Sequence, residues 1–246
     1  MNAIVKLTWV ELKLYLRNWI AAFFTLIFPV GMLFLFGAMY GNTPSPLLDG
    51  FGTIDKGVPG YIAGMIMGTT AFMYLPAELA YRRQAGVLRR FRATPLSPGG
   101  VLISQVLVNW IMAAVGSLVL IAATTVAFRP HLPHDVLLVV AAFVVGSLSQ
   151  LALGFLLASL VPSVAAARAV SMAIYYPMTF LGGGTIPLGL MPGSLQKVAQ
   201  FMPLYYAVNL MQKAWLGLGW DTRAMAILLA LMAASIVLAI RTFRWE

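Results

Sequence analysis

The sequence predicts an all-α polytopic membrane protein with six transmembrane helices, an N-terminal interfacial helix and a re-entrant helical pair before the last span. Three observations predict it. Of the 246 residues, 61% are hydrophobic and only 9% charged, against about 25% charged in a soluble domain. No soluble core of this size hides so much apolar surface, so the solvent is lipid. Six runs each hold the roughly 20 apolar residues needed to cross about 30 Å of hydrocarbon. The basic residues gather at the ends of those runs, where anionic headgroups and orientation rules account for the net charge of +9 without any nucleic acid. Cysteine is absent, which excludes disulfides, thiolate metal sites and a cysteine nucleophile.

The elements follow in order within a single membrane domain over residues 1–246. Residues 1–19 form an amphipathic helix, with Val5, Trp9, Leu12, Leu16 and Trp19 on one face and Asn2, Lys6, Lys13 and Arg17 elsewhere. A basic helix with tryptophans on its apolar side lies in the headgroup plane. It either anchors the N-terminus or relays motion. The spans run approximately over residues 20–40, 59–80, 101–128, 135–161, 169–186 and 222–242. The first exceeds the apolar core of a signal peptide and no small-residue cleavage site follows it, so it is expected to stay. Pro44, Pro46, Asp49, Gly50 and Gly52 mark a polar turn after span one. Asp135 reads as the N-cap of span four and Asp221 as that of span six. Gly182, Gly183 and Gly184 loosen the end of span five.

Orientation follows from lysine and arginine. With the N-terminus in the cytoplasm, eleven of the 16 basic residues lie inside and five outside. Three of those five (Lys197, Lys213 and Arg223) flank the last span in a long loop that weighs little in this rule. Both termini are therefore expected in the cytoplasm.

Residues 187–219 are too polar and too proline-broken to cross. Leu195, Val198, Ala199 and Met202, and after Pro203 the set Ala207, Leu210, Met211 and Ala214, repeat a helical spacing. Two short helices follow, either dipping into the outer leaflet and returning or lying flat on it.

Between spans two and three, residues 81–98 form a basic connector, with five arginines between Glu78 and Ser97. It is a poor catalytic site and a suitable handle for a cytoplasmic partner. Glu78 and Arg82 sit four apart, the spacing of an ion pair on one helical face. Gly60, Gly64 and Gly68 make a small-residue stripe on span two that lets helices approach closely. It serves ordinary packing or a sliding contact, within one protomer or at a dimer seam.

Together these residues resemble the membrane subunits of ABC-2 type exporters. The pattern is six spans, an interfacial N-terminal helix, and a connector that here reads Glu78, Arg82, Arg83, Gly86, Leu88, Arg89, Arg90, Thr94, Pro95, Leu96 and Ser97. A re-entrant pair before the last span carries Met191–Pro192 and Pro203–Leu204–Tyr205–Tyr206, the expected gate. The acidic residue often found shortly after Glu78 is absent, its place taken by the basic pair. The resemblance implies a transport permease of the prokaryotic plasma membrane. Its partners would be a separate ABC ATPase, which binds ATP and magnesium, and a second copy or a related permease, among membrane lipids. The chain has no G-x-x-x-x-G-K-[ST] phosphate loop of its own, and no inside segment long enough for an ATPase domain. Residues 86–96 would be a coupling helix, with Leu88 and Phe91 as apolar anchors and Arg89, Arg90 and Arg92 setting register. The basic residues alternatively serve orientation alone.

Polar groups inside the spans are few: Gln105 and Asn109 on span three, Gln150 on span four, Tyr175 and Tyr176 on span five. They line a substrate path together with Met172, Met178 and Phe180, or they serve helix packing. None is ionised, which argues against a fixed ion or proton site. His131 and His134 lie in a short outside loop without a third ligand other than Asp135, so no metal is expected, and no serine–histidine pair stands at membrane depth. An enzyme is not expected. Among cargoes, the aromatic, methionine-rich fifth span suits a drug-like lipophile. Trp110, Trp215, Trp220 and the tyrosine pairs are alternatively a channel for a lipid-linked oligosaccharide. A passive channel would have no ATPase partner.

Overall fold

In the computed structural model, residues 3–87 and 98–242 are described. Every regular element among them is helical. The interfacial helix α1 (Ala3–Arg17) is followed by α2 (Trp19–Tyr40), α3 (residues 53–84), α4 (Pro98–Phe128), α5 (Val136–Leu160) and α6 (Val164–Leu181). The short helices α7 (Gly193–Ala199) and α8 (Pro203–Trp215) precede α9 (Thr222–Thr242). Among the described residues six helices, α2 to α6 and α9, are long and apolar enough to span a membrane.

Helix starts follow local chemistry. Asp135 accepts from the amides of Leu137 at 2.9 Å and Leu138 at 3.2 Å. Asp221 accepts from Ala224 N at 2.8 Å. Both are the caps expected from the sequence, each filling amides that a helix leaves unpaired. The fifth span differs from expectation: it starts at Val164 and ends at Leu181, not at 169 and 186. Ser163 caps it by accepting from Ala166 N at 3.2 Å, after Pro162 has stopped α5. Arg168 thus lies inside the helix rather than before it. At the other end Gly183, with φ +82°, turns the chain out of the helix.

Helix α3 is the hub. Nearly nine-tenths (89%) of its apolar window is buried inside the protein, against 22% for α2 and 28% for α6. It packs against α5, α6 and α8, and α5 in turn holds α9. Helix α8 is driven into this core by Leu204, Val208, Leu210, Met211 and Trp215, all buried, whereas α7 buries only Ala199. Helix α1 lies against α4, where Tyr15 meets Val108 and Met112.

Two wide π turns interrupt α2 and α3 for one shared reason. Phe28 N reaches back five residues to Phe23 O, and Leu75 N likewise to Thr70 O. The next residue in each case is proline, which has no amide to give and crowds the carbonyl four back; a wider turn relieves that clash. A third π turn covers Tyr61–Ile66, closed by Met67 N on Ile62 O.

Candidate functional site

A cavity of about 570 Å3 lies between α2, α3 and α6. Its middle is apolar: Phe24, Phe28 and Met32 from α2, Met65 and Met73 from α3, Met172, Tyr176 and Phe180 from α6. Asn18, Glu78, Tyr81 and Arg168 line one end, the end that also holds α1. Thr185 lies toward the other. The π turns contribute directly, since Phe24, Thr25, Met65, Thr69, Met73 and Tyr74 of the wall all belong to them.

The α3–α6 side of this wall is held by glycines and one tyrosine. A Cβ on Gly64 would stand 2.3 Å from Gly184 Cα, and one on Gly68 2.5 Å from the Tyr175 ring. One on Gly60 would stand 3.1 Å from Gly183 O. The stripe therefore seats α6 and its terminal turn at backbone contact, inside one protomer. The Tyr175 hydroxyl bonds to Met65 O at 3.1 Å and Thr69 Oγ1 at 3.1 Å, reaching α3 carbonyls at the π turn. Its ring stacks on Phe72 with centroids 6.2 Å apart. Thr185 keeps a buried hydroxyl without a hydrogen-bond partner among the described residues, on the cavity wall.

At the end that holds α1, the Arg82 guanidinium grips both carboxylate oxygens of Glu11. Its Nε bonds to Glu78 Oε1 at 2.7 Å, the i,i+4 pair expected from the sequence. The Arg82 and Glu11 side chains are only 7% and 6% exposed, so this is a buried pair between α1 and α3. The carboxylate missing after Glu78 is thus supplied from α1. Arg83 bonds to Val161 O at the end of α5, placing positive charge where helix carbonyls point outward. Tyr15 adds a second tie: its hydroxyl meets Thr25 Oγ1 at 2.8 Å and its ring lies 4.1 Å from that of Tyr74. Burial pushes the Tyr15 phenol well above its ordinary range, more than the Thr25 bond lowers it, so it stays neutral. Past Gln84, Gly86 adopts φ +68° and its amide bonds to Arg83 O, a glycine stop that ends α3 where the connector begins.

The opposite end is tied by Asp55. This carboxylate, 1% exposed, accepts from Asn42 Nδ2 at 3.1 Å, Gly52 N at 3.0 Å and His131 N at 2.9 Å. His131 Nδ1 lies 3.1 Å from it, and His131 O accepts from Trp215 Nε1 at 2.9 Å. The α2–α3 loop, the α4–α5 loop and α8 meet there.

The sequence-predicted residues distribute as follows. Met172, Tyr175, Tyr176 and Phe180 line the cavity. Met178 is buried in the core. Gln150 Nε2 donates to Ala63 O at 2.8 Å, tying α5 to α3. Asn109 Nδ2 donates to Gln105 O at 2.8 Å within α4, and the Gln105 amide is buried without a partner among the described residues. None of these last four is on the cavity wall. Met191 N bonds to Leu188 O, Pro192 opens α7 and Pro203 opens α8. Leu204 is buried, and Tyr205 and Tyr206 meet edge to face at 5.1 Å. Leu88, Arg89, Arg90, Phe91, Arg92, Thr94, Pro95 and Leu96 lie outside the described residues. Sequence reasoning missed Glu11, whose signal was a lone acid on an otherwise basic helix. It also missed the π turns, for which Pro29 and Pro76 were the available sign.

A six-span helical bundle built round one buried helix, with an apolar cavity at its flank and no strand among the described residues, is an all-α polytopic membrane protein. The model of the ABC-2 type transporter family matches residues 2–216, and the chain belongs to that family. It is a permease subunit of an ABC transporter rather than a catalytic enzyme, and it works with a separate ATPase subunit. Comparison with proteins of curated function found no match.

Proposed function

We propose that this permease moves a lipophilic or amphiphilic, drug-like compound out of the cell. The observation that carries the reading is the cavity between α2, α3 and α6, walled in its middle by methionine and aromatic side chains. A wall of soft, polarisable groups accepts many apolar shapes. Trp110 packs on Phe143, Trp215 bonds to His131 and Trp220 to Met225. All three tryptophans are therefore engaged away from the cavity, which disfavours a sugar-stacking channel. Met172, Tyr175, Tyr176 and Phe180 are assigned to the route, Gln105, Asn109, Gln150 and Met178 to packing.

The helices flanking the cavity, α2 and α6, are among the least buried spans. A second copy, or a related permease, completes the wall against them. Residues 86–96 dock on the ATPase, which holds ATP and magnesium. Its stroke passes through α3, tied to α1 by Arg82 and Glu11. Met191, Pro192, Pro203, Leu204, Tyr205 and Tyr206 close the outer end. The assembly sits in a prokaryotic plasma membrane with both termini cytoplasmic, as a multidrug-efflux pump whose phenotype is antibiotic resistance.

The test is transport of a lipophilic dye into inverted membrane vesicles, driven by ATP, with the ATPase subunit co-purified. Tyr176→Ala and Phe180→Ala should cut dye-stimulated ATPase activity several-fold. Leu88→Asp with Phe91→Asp should leave ATP hydrolysis running without transport. A chain that purifies without an ATPase and conducts its solute passively would overturn the reading.

A further inference from the structure

The end of the cavity nearest α1 differs from its middle in chemistry. Arg168 lines it from α6 and forms no ion pair or hydrogen bond among the described residues. Two further donors line the same end. Asn18 uses its Oδ1 as the cap of α2, accepting from Ala21 N at 3.3 Å, and its Nδ2 has no partner among the described residues. Tyr81 is 58% exposed, with a free hydroxyl among the described residues. Glu78 is the one carboxylate among the described residues of this wall, and it is already engaged by Arg82 Nε at 2.7 Å. A cation approaching Glu78 would meet the fixed charge of Arg82 behind it. An anion approaching Arg168 meets a guanidinium whose donors have no partner among the described residues.

Depth agrees with charge. Arg168 stands one turn inside α6, about 6 Å from its start. Asn18 joins the interfacial helix to α2. Both residues stand at the ends of spans, whereas Phe24, Phe28, Met73 and Met172 continue the cavity toward the middles of those spans.

We propose that this end of the cavity is a head-group site for an anionic amphiphile. Arg168, with Asn18 Nδ2 and the Tyr81 hydroxyl, holds a phosphate, sulfate or carboxylate head while the apolar tail lies along the methionine and aromatic wall. The inference rests on the cavity being the cargo route, and it narrows the cargo class.

The experiment uses the permease with its ATPase subunit in nanodiscs of phosphatidylcholine alone. Binding of radiolabelled decyl phosphate, decyltrimethylammonium and decanol is measured for the wild type, Arg168→Gln, Arg168→Lys and Tyr176→Ala. The phosphate should bind about five- to tenfold tighter than the quaternary amine, the scale of one charge-assisted contact. Arg168→Gln should abolish that preference without changing decanol binding, and Arg168→Lys should retain most of it. Equal binding of all three ligands that Tyr176→Ala weakens would overturn the head-group site while sparing the cargo route. Binding of none, or binding indifferent to Tyr176→Ala, would overturn the route itself. Repeating the assay with phosphatidylglycerol in the nanodisc identifies the source. Competition lost in Arg168→Gln assigns the site to a bilayer lipid, and no competition assigns it to a free cargo.

Discussion

Arg82 and Glu11, 71 residues apart in the chain, form a paired guanidinium–carboxylate contact that joins the interfacial helix to the buried central helix. The pair is almost wholly shielded from solvent. Its value therefore lies less in attraction than in what remains when one member is lost.

Glu11→Ala should leave Arg82 with only Glu78, and Arg82→Ala should leave two carboxylates close together. Each should cost about 3–5 kcal/mol, the usual penalty for an uncompensated buried charge. Replacing both, Glu11→Gln with Arg82→Met, should recover much of that loss. Thermal unfolding of the purified chain in detergent checks the ordering; single variants as stable as the double would contradict it.

Gly64→Ala should be poorly tolerated, because the new methyl would stand 2.3 Å from Gly184 Cα. Overpacking of this kind costs about 1–3 kcal/mol. Gly31→Ala meets nothing within 4 Å and should be neutral or mildly stabilising, since alanine favours a helix. A paired melting measurement separates the two.

Tyr175→Phe removes a hydroxyl that meets Met65 O and Thr69 Oγ1 while keeping the ring against Phe72 and Gly68. The expected loss is about 1 kcal/mol, typical of one buried hydrogen bond. Amide exchange near the α3 π turn should rise with it.

Acid should weaken the start of α9 at Asp221. Burial opposes its ionisation, but Lys213 at 2.7 Å and the Ala224 amide outweigh that and hold the carboxyl below its ordinary 3.8. A folded pKa below the unfolded one gives stability that is full above the unfolded value and lost as pH falls through the folded one. Melting temperature should therefore be insensitive to this group from pH 7 down to about 5, then fall in more acid solution. Asp221→Asn should lower stability at pH 7 and flatten that acid limb.

Much of this was legible in the residues. Long apolar runs forced α2 to α5 and α9, and Asp135 and Asp221 announced their helices because a cap works through its neighbours alone. Helix α6 was shifted by five residues, because Arg168 among alanines looks like a boundary until Ser163 is seen to cap the turn before it. The amides Gln105, Asn109 and Gln150 read equally as path or packing. Their polarity requires burial in protein without saying which side of a helix faces a cavity. The grip of Glu11 on Arg82 and the knot on Asp55 depend on partners 71 and 76 positions away. No local periodicity carries such pairings. The glycine stripe and the glycine-loosened end of span five were each visible, but not that Gly184 of the second fills the first.

Most helices are firm in the middle and fray at their tips. Helix α3 is held by side chains at both of its tips. Asp55 is locked near its first turn and Arg82 near its last, while two widened turns lie between them. It resembles a beam held at both supports. A displacement of one support reaches the other only through those widened turns, which themselves form part of the cavity wall.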